Sequence, residues 1–351
     1  MQTFPELISK AIERGASDLH LSVGIPPCIR VNGAILQLDA PPCLPKDVED
    51  IAFSIMDEHH RQTLELAGEA DFAYSIPTLG RFRINVFRQR GSYSIVARIL
   101  NLRIPSPEEL GLPPSVIAMT EKRRGLVLVT GPTGSGKSTT LASLIDVINT
   151  NHDCHIITLE DPIEYLHRHN RSIVNQREMG SDTSNYSTAL RAALRQDPDV
   201  ILVGEMRDLE TIATAVTAAE TGHLVFSTLH TNGVANTVDR IIDVFPPHQQ
   251  QQIRTQLADV LQCVVSQQLL PRWDGQGRVA AFEVLLATNA VRNHIREAKT
   301  YQIPTVMQTS AKLGMRTMDD ALFELWSRGL ISEETALLYA QDRSILAKRF
   351  L

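Results

Sequence analysis

The chain has 351 residues, 43% of them hydrophobic and 21% charged, which is the composition of an ordinary globular protein with room for two domains. The net charge of −6 disfavours a nucleic-acid partner, and no apolar run approaches the roughly 18 residues that direct membrane insertion requires. The four cysteines are scattered without a CxxC pair, and the N-terminus shows no secretory signal, so we expect no structural zinc site, no disulfide framework and a reducing cytoplasmic location.

The first hundred residues predict a small α/β domain. Apolar spacing indicates a helix over Phe4–Arg14 and another over Val48–Ala67. Short strands are predicted over Leu19–Val23 and Ile29–Leu38, the second broken by a hairpin turn at Asn32-Gly33.

Two further strands, Gly80–Phe87 and Ser94–Leu100, are predicted to pair around a turn at Arg90-Gly91. Period-2 alternation separates their apolar face from a polar face. That polar face carries Arg81, Arg83, Asn85 and Arg98. Because guanidinium groups bind phosphate through paired hydrogen bonds, the face could clamp an anion, and the alternative is an ordinary solvated sheet face.

A proline-rich stretch then divides the chain. We predict an N-terminal domain over 1–100, a linker over 101–115, a second domain over 116–285 and a helical C-terminal segment over 286–351.

The second domain is predicted to alternate strands with helices around a mostly parallel sheet buried on both faces. The expected strands are Leu126–Thr130, His155–Glu160, Val200–Gly204 and Leu224–Thr228. Helical apolar spacing continues over Ile253–Val265, which predicts one long amphipathic helix there.

A phosphate loop follows the first of these strands. Its residues, which we predict to bind nucleotide together with Thr139, are Gly131, Pro132, Thr133, Gly134, Ser135, Gly136, Lys137 and Ser138. In this strand–loop–helix setting the glycines allow a tight turn, Lys137 reaches the β- and γ-phosphates, and Ser138 holds Mg²⁺. The chain is therefore expected to bind ATP or GTP.

A carboxylate ends the strand over Val200–Gly204. Since ligands sit at the carboxyl ends of parallel strands, Glu205 is expected at the same edge as the phosphate loop. There it can orient the attacking water or the Mg²⁺ shell. Gly204 stands where Walker B strands usually carry Asp, so direct Mg²⁺ ligation is less well supported, and the alternative is an exposed acid in a turn.

Two more polar clusters follow strands at this edge. Glu160, Asp161 and Glu164 form an acidic box with the oxygen ligands that Mg²⁺ prefers. His223 and His230 flank the last predicted strand, which at about 23 Å is too long for both to touch one phosphate. His230, at the carboxyl end, is placed to sense the γ-phosphate, whereas His223 is expected to be structural or interfacial.

Together the phosphate loop, acidic box, Gly-Glu strand end and histidine box resemble the secretion ATPase superfamily and, within it, the retraction ATPases of type IV pili. The segment Ala290–Glu297 is similar to the AIRNLIRE motif of retraction ATPases, from which it departs at Val291 and His294. The resemblance covers essentially the whole chain. Assembly ATPases typically have a longer N-terminal region and a four-cysteine metal motif, and this chain shows neither, which favours a retraction ATPase.

The resemblance implies a PAS-like N-terminal domain, a RecA-like second domain and a homohexameric ring that hydrolyses ATP with Mg²⁺. It implies Glu205, Glu164 and His230 as catalytic residues, and arginines of the polar sheet face reaching a nucleotide from the sister domain or across a subunit boundary. It also implies a partner in the inner-membrane pilus platform, through which the motor would sit at the inner face of that membrane.

The AIRNLIRE-like segment has two interpretations. Read as a helix, it places Arg292 and Arg296 one turn apart, beside Asn293 and Glu297. The resemblance favours a role in coupling ring motion to retraction, and the alternative is an amphipathic surface helix.

Other functions remain to be weighed. An accessory retraction or assembly ATPase would share all the motifs, a nucleic-acid translocase would need a basic channel, and a regulatory nucleotide-binding module would not need the acidic and histidine boxes.

Overall fold

The computed structural model describes residues 2–31, 33–77, 79–100 and 103–350. It divides into two compact units, one comprising residues 1–103 with 162–166 and the other residues 104–161 with 167–351. Asn32 of the predicted hairpin turn and residues 101 and 102 of the predicted linker lie outside the described residues. No helix in the described ranges is long and apolar enough to cross a membrane.

The first unit is an antiparallel sheet covered by helices, as the sequence predicts for a small α/β domain. Its elements are α1 Phe4–Glu13, β1 Asp18–Ser22, β2 Cys28–Val31, β3 Ala34–Gln37, α2 Pro45–Ile55, α3 Glu58–Ala67, β4 Glu69–Ile76, β5 Gly80–Gln89 and β6 Ser92–Ile99. The strand order is β3-β2-β1-β6-β5-β4. Alternate residues of β5 point into the apolar core, which leaves the arginines on the other face.

One predicted helix of this unit is two helices. The chain leaves helical geometry at Met56, and Asp57 caps a new helix by accepting a hydrogen bond from the backbone N–H of His60. The helical spacing continued through this break because both helices bury apolar residues against one core. Strand β4 was not predicted.

The second unit contains a seven-stranded sheet with helices on both faces. Its strands are β7 Gly125–Thr130, β8 His155–Glu160, β9 Ile173–Glu178, β10 Val200–Val203, β11 Leu224–Leu229, β12 Leu261–Pro271 and β13 Arg278–Leu286. Its helices are α4 Pro107–Leu110, α5 Pro114–Ile117, α6 Lys137–Asn151, α7 Tyr186–Ala193, α8 Leu209–Glu220, α9 Val234–Asp243, α10 Pro247–Val260, α11 Asn289–Arg296, α12 Ile303–Thr309, α13 Met318–Ser327, α14 Glu333–Tyr339 and α15 Arg343–Ala347. The strand order is β13-β12-β7-β11-β10-β8-β9, and only the β12–β13 pair among these described strands is antiparallel.

Strand β7 shows why this sheet is buried on both sides. Leu126 and Leu128 enter the apolar core on one face, while Val127 and Val129 enter the core on the other. The predicted mostly parallel fold is confirmed, and it brings the carboxyl ends of β7, β8, β10, β11 and β12 to one edge.

The predicted long helix over Ile253–Val265 is wrong beyond Val260. Leu261 turns into extended backbone, and residues Leu261–Ser266 pair in parallel with β7. The apolar residues of this stretch are fully buried, so their run serves a central strand as well as a helix, and periodicity alone does not separate the two. Strands β9 and β13 were likewise not predicted.

Candidate nucleotide-binding site

The phosphate loop lies between β7 and α6 and turns on its glycines. Gly131, Gly134 and Gly136 have φ values of 140°, 78° and 90°, a region that side chains rarely adopt. A Cβ atom on Gly131 would collide with the carbonyl oxygen of Gln267. The loop therefore requires glycine for both its dihedral angles and its packing.

Two polar side chains of the loop are buried in it. The Lys137 ammonium group donates hydrogen bonds to the carbonyl oxygens of Gly131, at 2.9 Å, and Pro132, at 3.0 Å. The hydroxyl of Ser135 is buried and has no hydrogen-bond partner in the described part of the chain. Ser138 and Thr139 follow Lys137 in the first turn of α6, whose N–H groups are available to an anion. A buried ammonium group, an unsatisfied hydroxyl and a helix N-terminus fit the phosphates of a nucleotide.

Gln267 supports the loop from the neighbouring strand β12, and the sequence analysis missed it. Its side-chain oxygen accepts a hydrogen bond of 2.8 Å from the Thr140 hydroxyl inside the protein. Its amide nitrogen lies 2.9 Å from where a Cβ of Gly136 would be. The available signal was the polar stretch 266–268, which stands between apolar residues on both sides, because a buried polar side chain must find a partner.

Glu205 lies beside the loop, at the end of β10. One carboxylate oxygen is 2.5 Å from Nε of Arg207 and 3.3 Å from Nε2 of His230. Nδ1 of His230 is in turn 3.5 Å from the Thr133 hydroxyl of the phosphate loop. These four residues line one cleft of about 440 Å³. A carboxylate, an imidazole and the phosphate loop thus meet at one edge, and Arg207 is a member of the group that the sequence did not indicate.

The acidic residues Glu160 and Asp161 end strand β8 at the same edge. The Glu160 carboxylate accepts hydrogen bonds from Thr158, at 2.6 Å, and from Gln176, at 3.0 Å. These bonds fix its orientation in the site.

Tyr186 is a second member of the site that sequence reasoning missed. Burial, together with the nearby carboxylates of Asp161, Glu205 and Glu160, raises the pKa of its phenol above the ordinary value. Its hydroxyl oxygen lies 2.8 Å from where a Cβ of Gly204 would stand. The glycine at the usual Walker B Asp position therefore has a steric cause.

Other predicted site residues belong to the first unit. Glu164 lies in the segment 162–166 that groups with it. The predicted clamp arginines pair with neighbours on their own sheet: Arg81 with Ser75 at 3.2 Å, Arg83 with Asp71 at 2.6 Å and Arg98 with Asp18 at 3.0 Å. Burial opposes ionisation of Asp18, but hydrogen bonds from Ser17 and Arg98 outweigh it and lower its pKa. The nucleotide-directed roles of these residues stay predictions.

His223 lies at the other end of β11 from His230. Its Nδ1 is 2.9 Å from the carbonyl oxygen of Ala218, and its own carbonyl accepts a hydrogen bond from Gly125. Its described contacts thus join α8 to the start of β7.

The AIRNLIRE-like segment forms α11, and its first arginine is used inside the fold. The Arg292 guanidinium donates to the backbone carbonyls of Ala258, Asp259 and Leu261, where α10 ends and β12 begins. Arg296 pairs with the Asp259 carboxylate at 2.5 Å, and Asn293 donates to Glu297 at 3.0 Å. Burial lowers the pKa of Arg292. The segment therefore anchors the helix-to-strand junction that precedes Gln267.

The sheet order, the glycine loop on β7 and the carboxylate at the end of β10 define a P-loop nucleotide-binding protein with a RecA-like domain. A family model for type II/IV secretion system proteins matches residues 2–324, and the chain belongs to that family. The predicted resemblance to the secretion ATPases is thereby confirmed.

Within this family, the chain is similar to ATPases of type IV pili. The chain is 49% identical to the type IV pilus retraction ATPase PilT of Pseudomonas aeruginosa over 94% of this chain and 96% of that protein. It is 41% identical to the type IV pilus ATPase PilU of the same organism over 98% of this chain and 90% of the relative. A crystal structure of the pilus retraction motor PilT with bound ADP superposes with a TM-score of 0.94 at 51% identity, covering 99% of this chain and all of that one.

Proposed function

We propose that the chain hydrolyses ATP and uses the energy to retract type IV pili, the process that drives twitching motility. The observation that carries this proposal is the meeting of Lys137, Ser135 and Glu205 at one sheet edge, in a chain 49% identical to a retraction ATPase along nearly all of its length. The binding of ADP by the structurally similar motor supports an adenine nucleotide as the ligand.

Each residue of the site has a defined part in this chemistry. Lys137 would exchange its two loop carbonyl partners for phosphate oxygens, and the Ser135 hydroxyl would gain the partner it lacks. Glu205 would orient the attacking water, with His230 holding the carboxylate from the side of Thr133. Mg²⁺, which Ser138 and the phosphates would hold, neutralises charge on the phosphates when bound. Glu160 and Asp161 would complete the acidic surroundings of the ion, and the catalytic role of Glu164 stays a prediction from the resemblance.

The motor is proposed to act as a homohexameric ring in the cytoplasm, held at the inner membrane by a platform protein of the pilus. Arg81, Arg83 and Arg98 would reach the nucleotide from a neighbouring subunit, and α11 would transmit the movement of the ring. The likeness to a pilus retraction ATPase supports a pilus as the object on which the motor acts. The ring and the platform partner are proposed from the resemblance of the sequence motifs to the retraction ATPases.

The test is steady-state ATP hydrolysis combined with light scattering on the same sample. Wild type should form a hexamer with slow Mg²⁺-dependent turnover. Lys137→Ala should lose that turnover, while Lys122→Ala, at an exposed position, should keep it. A monomeric wild type without turnover would contradict the proposal.

A second candidate is an accessory retraction ATPase, because the chain is also 41% identical to PilU, a second type IV pilus ATPase of the organism that carries PilT. Expression in cells that lack their main retraction ATPase separates the two, since a principal motor restores twitching alone and an accessory motor does not. A translocase would instead show salt-sensitive DNA binding by the purified protein.

A further inference from the structure

The carboxyl group of Glu283 is buried in the middle of strand β13, where only 4% of the residue is exposed. One of its oxygens, Oε2, accepts hydrogen bonds from the backbone N–H of Val234, at 3.1 Å, and from the side-chain amide of Gln341, at 3.0 Å. Neither partner is charged. A buried carboxyl group held by two neutral donors from distant parts of the chain is costly, which calls for an explanation beyond packing.

Val234 joins Glu283 to the catalytic edge. It is the first residue of α9 and follows the turn His230–Gly233 directly. The backbone N–H of Gly233 donates to the buried Ser266 hydroxyl at 3.1 Å, and the Thr237 hydroxyl lies 2.7 Å from that of Thr231. The turn after His230 is therefore fixed by buried polar groups, and Glu283 supplies the carboxyl group among them.

Gln341 joins Glu283 to the C-terminal segment. Its backbone N–H donates to one oxygen of the Asp319 carboxylate at 2.8 Å, and the N–H of Asp342 donates to the other at 3.0 Å. Asp319 lies in the first turn of α13. The position of Gln341, and so its bond to Glu283, depends on how α13 and the segment after α14 are placed.

We propose that Glu283 is a positioning residue that ties the His230 turn to the C-terminal segment, so that the rate of ATP hydrolysis depends on the placement of that segment. The inference rests on the proposed function, because His230 matters only if the edge hydrolyses a nucleotide. The connection through the hydrogen bonds of Glu283 to Val234 and Gln341 can be tested without measuring turnover.

Protonation gives the tie a measurable signature. Burial raises the pKa of Glu283 to about 7. The hydrogen bonds from Val234 and Gln341 lower this pKa, and the negative charge of Asp319 on α13 raises it further. Since both bonds end on Oε2, a glutamine at this position keeps an oxygen acceptor for both and removes the titration. Glu283→Gln therefore separates the hydrogen bonds from the charge.

The experiment combines backbone hydrogen exchange with kinetics on the full chain. In Glu283→Leu and in Gln341→Leu, peptides over 231–238 and 337–343 should exchange about tenfold faster, because a buried hydrogen bond is lost. Strand β9 should exchange as in wild type. Glu283→Leu should also lower kcat about tenfold with KM changed less than twofold, whereas Glu283→Gln should keep kcat. Wild-type kcat should change with pH near pH 7, and that change should be absent in Glu283→Gln.

Glu333→Gln, an exposed carboxyl group on α14, is the matched control. Unchanged exchange of the 231–238 peptides in both leucine variants would overturn the proposal. So would a Glu283→Gln variant that keeps the wild-type pH profile. A wild type without turnover would refute only the proposed function, because the exchange data still report on the hydrogen bonds of Glu283. If Glu283→Leu does not fold, Gln341→Leu and Glu283→Gln still test the proposal.

Discussion

Glu205 is not one of the groups that fit the phosphates. Its carboxylate touches Arg207 and His230, whereas the groups that fit the phosphates belong to the loop over 131–138. The proposed roles in nucleotide binding and in hydrolysis thus fall on different side chains of one edge.

Glu205→Gln should retain nucleotide affinity within about twofold and lose turnover by about 10²–10⁴-fold, the range for a lost general base. Fluorescence titration with a labelled ADP and steady-state hydrolysis measure the two quantities. Glu210→Gln, an exposed carboxylate on the adjacent helix α8, serves as the control. Unreduced turnover in Glu205→Gln would remove Glu205 from the catalytic role.

The buried carboxyl group of Glu283 also affects stability. Its pKa of about 7 lies above the unfolded value of 4.5, so the folded state binds the proton more tightly between these values. The free energy of unfolding should therefore fall as pH rises toward and through 7, by an amount on the order of 1–3 kcal/mol. Urea unfolding at pH 5 and pH 8 should show this fall in wild type and a smaller one in Glu283→Gln. Equal falls in both proteins would argue against the raised pKa.

At the scale of elements, the junction of α10 and β12 is held by one side chain. The carbonyls at the end of a helix lack intrahelical partners, and the Arg292 guanidinium donates to two of them, those of Ala258 and Asp259. It also donates to the carbonyl of Leu261, the first residue of β12. Strand β12 then carries Gln267 under the phosphate loop. The position of this junction therefore affects the position of Gln267 and, through it, the phosphate loop.

Arg292→Gln should destabilise the protein by about 1–3 kcal/mol, because the half-buried carbonyls of Ala258 and Leu261 lose their donor. Thermal unfolding measures the loss, and Asn293→Ala on the exposed side of α11 should cost far less. Equal losses of thermal stability in both variants would mean that the Arg292 guanidinium does not stabilise the junction.

The elements that the sequence predicted well are those whose pattern admits one structure. The strand–glycine loop–helix sequence around Gly131 has one common solution, and the alternation in β5 separates two faces without ambiguity. The start of strand β12 was mistaken for a helix because a short, mostly apolar run fits either structure, and the outcome depends on pairing with β7, more than 130 residues earlier. Gln267 and Tyr186 were missed for the same reason: their roles arise from tertiary neighbours, which local spacing does not report.

At the scale of the whole molecule, the arginines of the first unit are proposed to act on the nucleotide of a neighbouring subunit. Arg83 lies on the exposed face of β5, and its partner there is the carboxylate of Asp71. If it serves a neighbouring subunit, two inactive variants can repair each other in one ring.

An equimolar mixture of Arg83→Gln and Lys137→Ala should restore turnover to about a quarter of wild type. In a randomly assembled closed ring, half of the subunits keep Lys137 and half of their neighbours keep Arg83, so about a quarter of the sites are intact. Each variant alone should be nearly inactive. Hydrolysis by the mixture that merely equals the mean of the two variants would place the arginine within the same subunit as its nucleotide.

The contact between the Tyr186 hydroxyl and Gly204 also constrains the order in which this site can change. An aspartate at position 204 would place its Cβ 2.8 Å from that hydroxyl and 3.1 Å from the Leu159 carbonyl oxygen. The tyrosine must be shortened or displaced before the acid can be accommodated. Gly204→Asp on its own should thus be harmful, and the same substitution should be better tolerated after Tyr186 has been replaced by a smaller residue, so that the two positions are expected to vary together in descendants of this chain.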